Sequence, residues 1–292
     1  MRGIRIDHFL PLFFVVPLLI LFPLFQRSLN LERFSLWVTT AVLLTVIVCS
    51  LAGGFIHRKK RPFKRTASMI ARDLSIFVPL ALIYENIGVF EADFFLDQLI
   101  IDFNHLLFSF QPSELFTINA SVAITDFMAL AYLAYFPVSF GYGFYLYNHK
   151  DTRAFRAYIL PLLLTHYIAF IFFVFFPIVG PKYFLQESVP GALRGGLIAP
   201  FNYALFESYR SNVTDCFPSM HTATMVHVAI AVYFHKRKHF PFMAVMTVLT
   251  MAACMYLWYH YLIDIVAGFA LAVGSWWYIS KLEPSVKGDG PK

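Results

Sequence analysis

Apolar runs long enough to cross a bilayer recur eight times along this chain. They lie at residues 9–25, 34–56, 73–92, 121–147, 155–177, 219–235, 240–258 and 261–280. A helix needs about 20 apolar residues to cross the hydrocarbon core. Because backbone in lipid must satisfy its own hydrogen bonds, and no barrel-type alternation is present, we expect every run to be helical. The sequence therefore predicts an all-α, polytopic membrane helix bundle with about eight transmembrane helices.

The composition and the cysteine count narrow the class of protein further. Hydrophobic residues make up 59% of the 292 residues and charged residues 14%, which is more apolar surface than a soluble domain can bury. The three cysteines, Cys49, Cys216 and Cys254, match no disulfide framework and no zinc-binding spacing. We therefore expect a membrane enzyme or transporter rather than a disulfide-rich or zinc-binding domain.

Basic residues are unevenly divided between the two sides of the predicted bundle. When the connections are grouped alternately, one side holds all but five of the 23 Lys and Arg residues; the five are Arg27, Arg33, Lys182, Arg194 and Arg210. Because cytoplasmic loops are rich in Lys and Arg, both termini are predicted to be cytoplasmic. The net charge of +6 then reflects this asymmetry and attraction to anionic lipid. The bilayer is the expected partner, and nucleic acid is not.

Two short polar strings stand at the mouths of apolar runs on the side that is poor in Lys and Arg. They are Asp215–His221 and His260–Asp264. Ionisable side chains at membrane depth indicate a functional site by default. A His and an Asp four positions apart lie on one face of a helix, so the carboxylate of Asp264 is expected to hold one imidazole nitrogen of His260. The other nitrogen would then be available as a nucleophile.

Phosphoryl transfer through histidine is the chemistry that these residues favour. Lys182 follows the fifth run, and Ser219 and His221 open the sixth. A helix that starts at Ser219 offers unpaired N–H groups and a positive dipole end to a phosphate oxygen, and Lys182 adds charge there. The structural alternatives are that Ser219 only caps its helix and that His260 only neutralises Asp264.

Three motifs follow one another on the predicted outer side. They are Gly180-Pro181-Lys182, Pro218-Ser219-Met220-His221, and His260-Tyr261-Leu262-Ile263-Asp264 with Ala267-Gly268. In this order they resemble the type 2 phosphatidic acid phosphatase superfamily, and more narrowly its inositol phosphorylceramide synthase and sphingomyelin synthase branch. The resemblance implies that His260 forms a phosphohistidine, that Asp264 orients it, and that His221 is the general acid and base. It also implies that Lys182 and Ser219 bind phosphate oxygens, and that neither a metal nor another cofactor is needed.

One feature of the superfamily is missing from this chain. The family pattern has a Ser-Arg pair upstream of the third-motif His, and Ala253 and Cys254 stand at those positions. The synthase branch shares this loss, which favours a transferase. Arg194 or Arg210, in the loop at 178–218, is a candidate to supply the missing guanidinium. A planar guanidinium can donate two parallel hydrogen bonds to phosphate oxygens. Each is more often explained as a loop Arg that faces solvent or headgroups.

The resemblance implies an enzyme that moves a phosphoryl headgroup from a phospholipid to a lipid hydroxyl or to water. Its site would face the periplasm or lumen, in a bacterial inner membrane or a eukaryotic endomembrane. We expect N-terminal transmembrane helices at 1–154 with an interfacial segment near 93–120, a catalytic transmembrane core at 155–281 and a disordered tail at 282–292.

Two other functions stay open on the sequence alone. The first is a simple phosphatase acting on phosphatidic acid or a polyprenyl phosphate. The second is a lipid transporter or scramblase, with Glu85, Asp126 and His166 along a path through the membrane. A transporter more often shows repeat symmetry and broken helices, which the sequence does not display.

Overall fold

The computed structural model describes residues 77–86, 94–149, 152–208 and 214–283, together with Leu10 and Val286. Regular structure in these residues is helical, and their β pairing is limited to one isolated bridge between Ile178 and Asp215. The α-helices are α1 (Phe77–Asn86), α2 (Asp97–Phe108), α3 (Pro112–Thr117), α4 (Val122–Leu133), α5 (Tyr135–Asn148), α6 (Thr152–Phe175), α7 (Pro181–Phe184), α8 (Ile198–Ser208), α9 (Met220–His235), α10 (Phe240–Tyr256) and α11 (Leu262–Leu282). Short 3-10 segments lie at Gln186–Ser188, Gly191–Arg194 and Arg237–His239.

Within the described residues, helices long and apolar enough to cross a membrane occur in four places. They are Val122–Asn148, Arg153–Phe175, Arg237–Tyr256 and Leu262–Leu282. All four coincide with predicted runs, so the prediction of a multi-pass helical membrane protein is confirmed at this level. The runs at 9–25 and 34–56 lie outside the described residues, and the run at 73–92 is described only over α1. The count of eight and the cytoplasmic placement of both termini stay predictions.

The run at 219–235 forms α9, the central helix of the described bundle. α9 has 16 residues, a length of about 24 Å. It contacts α6, α10 and α11, and none of its residues is exposed. A helix that is enclosed by neighbours and exposes no residue belongs to the core. Its N-terminal end, which carries the second predicted motif, is therefore held from several sides.

The predicted fourth run is interrupted between α4 and α5. α4 ends at Leu133 and α5 begins at Tyr135. Pro137 explains the interruption, because it has no N–H to donate to the carbonyl of Leu133. The N–H of Val138 still donates to the carbonyl of Ala134 at 3.1 Å. The two helices therefore continue one another and form one apolar stretch of 27 residues.

Helices α2 and α3 occupy the segment that was predicted to lie in the membrane interface. On one face of α2, Ile100 and Ile101 pack against Ile178, Cys216 and Tyr261. The large apolar side chains exposed elsewhere on these two helices are Leu99, Phe103, Leu106, Leu107, Phe108, Leu115 and Phe116. Exposed apolar side chains of this kind are typical of a helix at a bilayer surface. Placement of the segment in the interface stays a prediction.

Candidate active site

The turn between α10 and α11 carries His260. The N–H groups of Tyr259 and His260 both donate to the carbonyl of Cys254, at 3.0 and 3.2 Å. Trp258 takes a left-handed backbone conformation with φ 60° and is buried. These contacts attach the turn to the last part of α10, and His260 is only 5% exposed. The imidazole is therefore held in the interior rather than on a mobile loop.

Asp264 lies in the first turn of α11 and faces His260, as predicted, but the two residues do not share a helix, because α11 begins only at Leu262. Its Oδ2 atom is 3.5 Å from Nδ1 of His260 and accepts the N–H of Tyr261 at 2.8 Å. The Asp264 side chain is fully buried. Because Nδ1 faces the carboxylate, Nε2 of His260 is the nitrogen available to a substrate atom.

Cys216 is a third member of this cluster, and the sequence analysis did not assign it to the site. Its thiol donates to Oδ2 of Asp264 at 2.9 Å and lies 3.5 Å from Nδ1 of His260. Burial, and then the neighbouring Asp264 carboxylate, raise the pKa of the Cys216 thiol well above its usual value. Cys216 therefore stays protonated and acts as a hydrogen-bond donor. Its position directly before the second motif was the only signal for it in the sequence.

His221 lies in the first turn of α9, opposite His260. The centroids of the two imidazole rings are 5.7 Å apart. The His221 ring packs against Tyr132 and Tyr135, with centroid distances of 4.4 and 4.6 Å. Its Nδ1 atom lies 3.4 Å from the hydroxyl of Tyr132. The structure thus brings together the two histidines of the second and third motifs, and α4 and α5 supply the aromatic wall.

Ser219 caps α9 and locks it to α11. Its hydroxyl accepts the N–H of Thr222 at 3.3 Å, which is the capping role expected of this residue. Its N–H donates to the backbone carbonyl of Asp264 at 3.0 Å. Gly268 lies directly against this backbone, since a Cβ added there would be 3.2 Å from the carbonyl carbon of Ser219 and closer still to its oxygen. Ser219 and Gly268 thus fix the second motif against the third.

Lys182 is attached to the same turn through its backbone and is surrounded by tyrosines. Its N–H donates to the carbonyl of Trp258 at 2.7 Å. Its Nζ atom lies 4.0 Å from the ring centroid of Tyr203 and 4.7 Å from that of Tyr259. The Oε1 atom of Glu207 is 3.9 Å away. The ammonium group is thus held by cation–π contacts and one carboxylate beside the residue that precedes His260.

Asp97, at the start of α2, joins the first motif to the third and was not predicted as a site residue. Its carboxylate accepts the N–H groups of Val179 and Gly180 and the hydroxyl of Tyr261, each at 2.9 Å. It is fully buried. Gly180 has φ 97°, and a Cβ there would lie 2.8 Å from the carbonyl of Tyr259, so this close approach requires glycine. Nothing local in the sequence distinguished Asp97 from the other acids of its segment.

Of the two predicted arginines, only Arg194 lies in the part of the chain that the structure describes. Arg194 is exposed at the end of the segment Gly191–Arg194, and Arg210 lies outside the described residues. The positions of the absent Ser-Arg pair, Ala253 and Cys254, are completely buried in α10. A phosphate-binding role for either arginine stays a prediction.

Two of the polar residues that suggested a transport path, Asp126 and His166, are bound to backbone. The carboxylate of Asp126 accepts the N–H groups of Gly196, Leu197 and Ala199 and thereby caps α8. Nδ1 of His166 bonds the carbonyl of Leu162 at 2.8 Å. The side chain of Glu85 lies outside the described part of the chain. Asp126 and His166 therefore have structural roles.

In the part of the chain that the structure describes, two sets of side chains have a spacing that a metal ion could bridge. His221, Cys254 and His260 form one, and Cys216, His260 and Asp264 form the other. In each set the possible ligand atoms lie within 4.8 Å of one another. The second set is already joined by the hydrogen bond from Cys216 to Asp264.

Comparison with known proteins agrees with the motifs. A family model of the PAP2 superfamily matches residues 98–278, more than half of the chain. A phosphoinositol dihydroceramide synthase of Bacteroides thetaiotaomicron is 24% identical over 178 residues, which are 56% of this chain and 58% of the relative. The chain thus spans less than two thirds of that relative's length. No solved structure matches the chain.

Proposed function

The chain belongs to the PAP2 superfamily, and from this membership and the site geometry we propose that it is a lipid phosphotransferase with a phosphohistidine intermediate. The observation that carries the proposal is the arrangement of the two histidines. Nδ1 of His260 faces Asp264 at 3.5 Å, and the ring of His221 is 5.7 Å from that of His260 between centroids. This arrangement places a nitrogen that could act as nucleophile close to a second imidazole that could carry a proton.

In the first step, Nε2 of His260 attacks the phosphorus of a phospholipid. A P–N bond forms and the P–O bond to the diacylglycerol oxygen breaks. The leaving oxygen takes its proton from His221, which acts as general acid. The carboxylate of Asp264 stabilises the positive charge that develops on the His260 ring, because it lies against Nδ1.

In the second step, a lipid hydroxyl replaces the diacylglycerol. His221, now neutral, removes the proton of the hydroxyl, and the resulting oxygen attacks the phosphorus. The P–N bond breaks and its electron pair returns to His260, which restores the enzyme. If water takes the place of the lipid hydroxyl, the same step is a hydrolysis, and the enzyme is a phosphatase.

Phosphate oxygens would be bound by Lys182 and Ser219. The hydroxyl of Ser219 accepts a backbone N–H from Thr222, so its own proton can be donated to a phosphate oxygen. The ammonium of Lys182 lies over the rings of Tyr203 and Tyr259, next to the turn that carries His260. Its positive charge would stabilise the charge that builds up on the transferred group.

The substrates that we propose to test first follow from the relative. Its name denotes a lipid in which phosphoinositol is joined to dihydroceramide, so phosphatidylinositol is the proposed donor and a ceramide the proposed acceptor. The proposed site faces the periplasm or lumen, since the three motifs fall on the side that is poor in Lys and Arg.

The test uses purified protein in lipid with a labelled phospholipid donor and ceramide, diacylglycerol, polyprenol or no acceptor. We expect a labelled lipid product that depends on the acceptor and exceeds the release of water-soluble headgroup phosphate. His260→Ala should abolish turnover, His221→Ala should lower it by about 10²- to 10⁴-fold, and His149→Ala, which changes an exposed histidine, should leave it unchanged.

Two outcomes would contradict the proposal in different ways. Hydrolysis at one rate with every acceptor, without a transfer product, would identify a phosphatase. Full activity of His260→Ala would show that turnover does not pass through a phosphohistidine at this residue. Trapping an acid-labile phosphoenzyme in His221→Ala with an activated donor would support the first step, because a good leaving group needs no proton from His221.

A further inference from the structure

We propose that His221, Cys254 and His260 form a binding site for Zn²⁺, and that occupation of this site inhibits the enzyme. The three side chains come from the first turn of α9, the last part of α10 and the turn that follows α10. Binding of the metal does not depend on the proposed function. The inhibition does, because it assumes that both histidines take part in turnover.

The spacing of the three side chains suits a tetrahedral ion. Their possible ligand atoms all lie within 4.8 Å of one another. Zinc bonds of about 2.0 Å to nitrogen and about 2.3 Å to sulfur place neighbouring ligand atoms about 3.3–3.7 Å apart in a tetrahedron. Ligand atoms 4.8 Å apart would have to approach one another by about 1 Å to reach this tetrahedral spacing. Rotation of the side chains can supply a shift of that size.

Each of the two imidazoles has an oxygen atom next to one ring nitrogen, as zinc-bound histidines do. A zinc-bound histidine usually directs its second ring nitrogen at a carboxylate or another oxygen, which fixes the ring. Nδ1 of His260 faces the Asp264 carboxylate at 3.5 Å, and Nδ1 of His221 faces the Tyr132 hydroxyl at 3.4 Å. Each histidine therefore has Nε2 left for an ion.

The donor set decides which ions fit. Two imidazoles and one thiolate are ligands that zinc favours, whereas Mg²⁺ and Ca²⁺ favour oxygen. Three protein ligands leave one tetrahedral position for water or a phosphate oxygen. Cys254 is completely buried and His260 is 5% exposed, so little solvent competes for the ion. With both Nε2 atoms bound, His260 cannot attack phosphorus and His221 cannot carry a proton.

The first experiment measures metal binding without substrate. Purified protein in detergent is dialysed against Zn²⁺ or Co²⁺, and the thiolate-to-cobalt absorption band is recorded. We expect one ion per chain, loss of the band in Cys254→Ser, and retention of the band in Cys49→Ser and Cys216→Ser. Absence of stoichiometric binding, or a band that survives in Cys254→Ser and disappears in Cys216→Ser, would overturn the proposal.

A second variant guards against misfolding of the core substitution. His260→Gln stays close to the size of the side chain but removes the metal-binding nitrogen. It should weaken Zn²⁺ binding at least tenfold while its gel-filtration profile matches the wild type. Unchanged affinity would overturn the proposal.

The second experiment measures inhibition. Micromolar Zn²⁺ should stop lipid transfer by the wild type, EDTA should restore it, and Mg²⁺ should have no effect. Inhibition of each protein is expressed relative to its own uninhibited rate. On this scale, Cys254→Ala should have a half-inhibitory Zn²⁺ concentration at least tenfold higher than that of the wild type. If Cys254→Ala is inhibited like the wild type, the assigned site is wrong. Should the protein show no turnover with any lipid, the proposed function fails, whereas the binding experiment still decides the metal site.

Discussion

Replacement of Gly268 by alanine tests how the second and third motifs are held together. Gly268 lies one helical turn after Asp264 in α11, against the backbone of Ser219. A methyl group there would lie 3.2 Å from the carbonyl carbon and 3.4 Å from the nitrogen of Ser219, with the carbonyl oxygen nearer than either. The neighbouring atoms are backbone, so no flexible side chain can move aside. α11 and the start of α9 must separate instead.

The size of the effect follows from this geometry. Normal contact between nonbonded atoms requires about 3.5 Å, so the separation is roughly 1 Å. It would overpack the helix contact and stretch the 3.0 Å hydrogen bond from Ser219 to the carbonyl of Asp264. Overpacking and a lost hydrogen bond together destabilise the fold by about 2–4 kcal/mol. A shift of about 1 Å between His221 and His260 lowers turnover by about 10²-fold.

The assay compares Gly268→Ala with Gly274→Ala on the same helix. A Cβ at Gly274 meets nothing within 4 Å, and alanine there is favoured over glycine by about 0.8–1 kcal/mol. We expect Gly268→Ala to lower both the melting temperature in detergent and kcat, and Gly274→Ala to lower neither. Wild-type kcat and melting temperature in Gly268→Ala would refute the packing argument.

Two further predictions concern the positioning of the site and its side of the membrane. Asp97→Asn should lower kcat at least tenfold and reduce the melting temperature, because one amide oxygen cannot accept the three hydrogen bonds that the carboxylate accepts. An unchanged kcat would show that the hydrogen bond from Tyr261 to Asp97 does not position the site. A cysteine introduced at Glu187 should react with an impermeant thiol reagent added outside, and one at Arg237 should not, with the wild-type chain as background; the opposite pattern would invert the proposed orientation.

Local patterns in the sequence predicted a large part of this structure. The apolar runs gave the positions of α6, α10 and α11, since length and hydropathy are properties of a continuous segment. The contact of His260 with Asp264 was predicted from their four-residue spacing, although His260 lies in the turn before α11 and not on the same helix. The three ordered motifs predicted the superfamily, and the match over residues 98–278 confirms it.

Contacts between distant segments were not predictable in this way. Asp97 bonds partners that are 82, 83 and 164 positions away, and Cys216 bonds Asp264 across 48 positions. Tyr132 reaches His221 across 89 positions. Nothing in the neighbouring sequence distinguishes these residues. Asp97 is one of several acids in an amphipathic segment, Cys216 is one of three scattered cysteines, and Tyr132 is a tyrosine in an apolar run. Their roles depend on helix packing, which a single sequence does not reveal.

The central position of α9 bears on how the protein responds to different membranes. Hydrophobic mismatch acts on the helices that touch lipid, which tilt or shift to match bilayer thickness. α9 has no exposed residue, whereas α10 and α11 present Val245, Val248, Phe269 and Trp277 at the surface. Changes in acyl-chain length are therefore absorbed first by the outer helices. The end of α9 that holds Ser219 and His221 has no exposed residue and is therefore shielded from those changes.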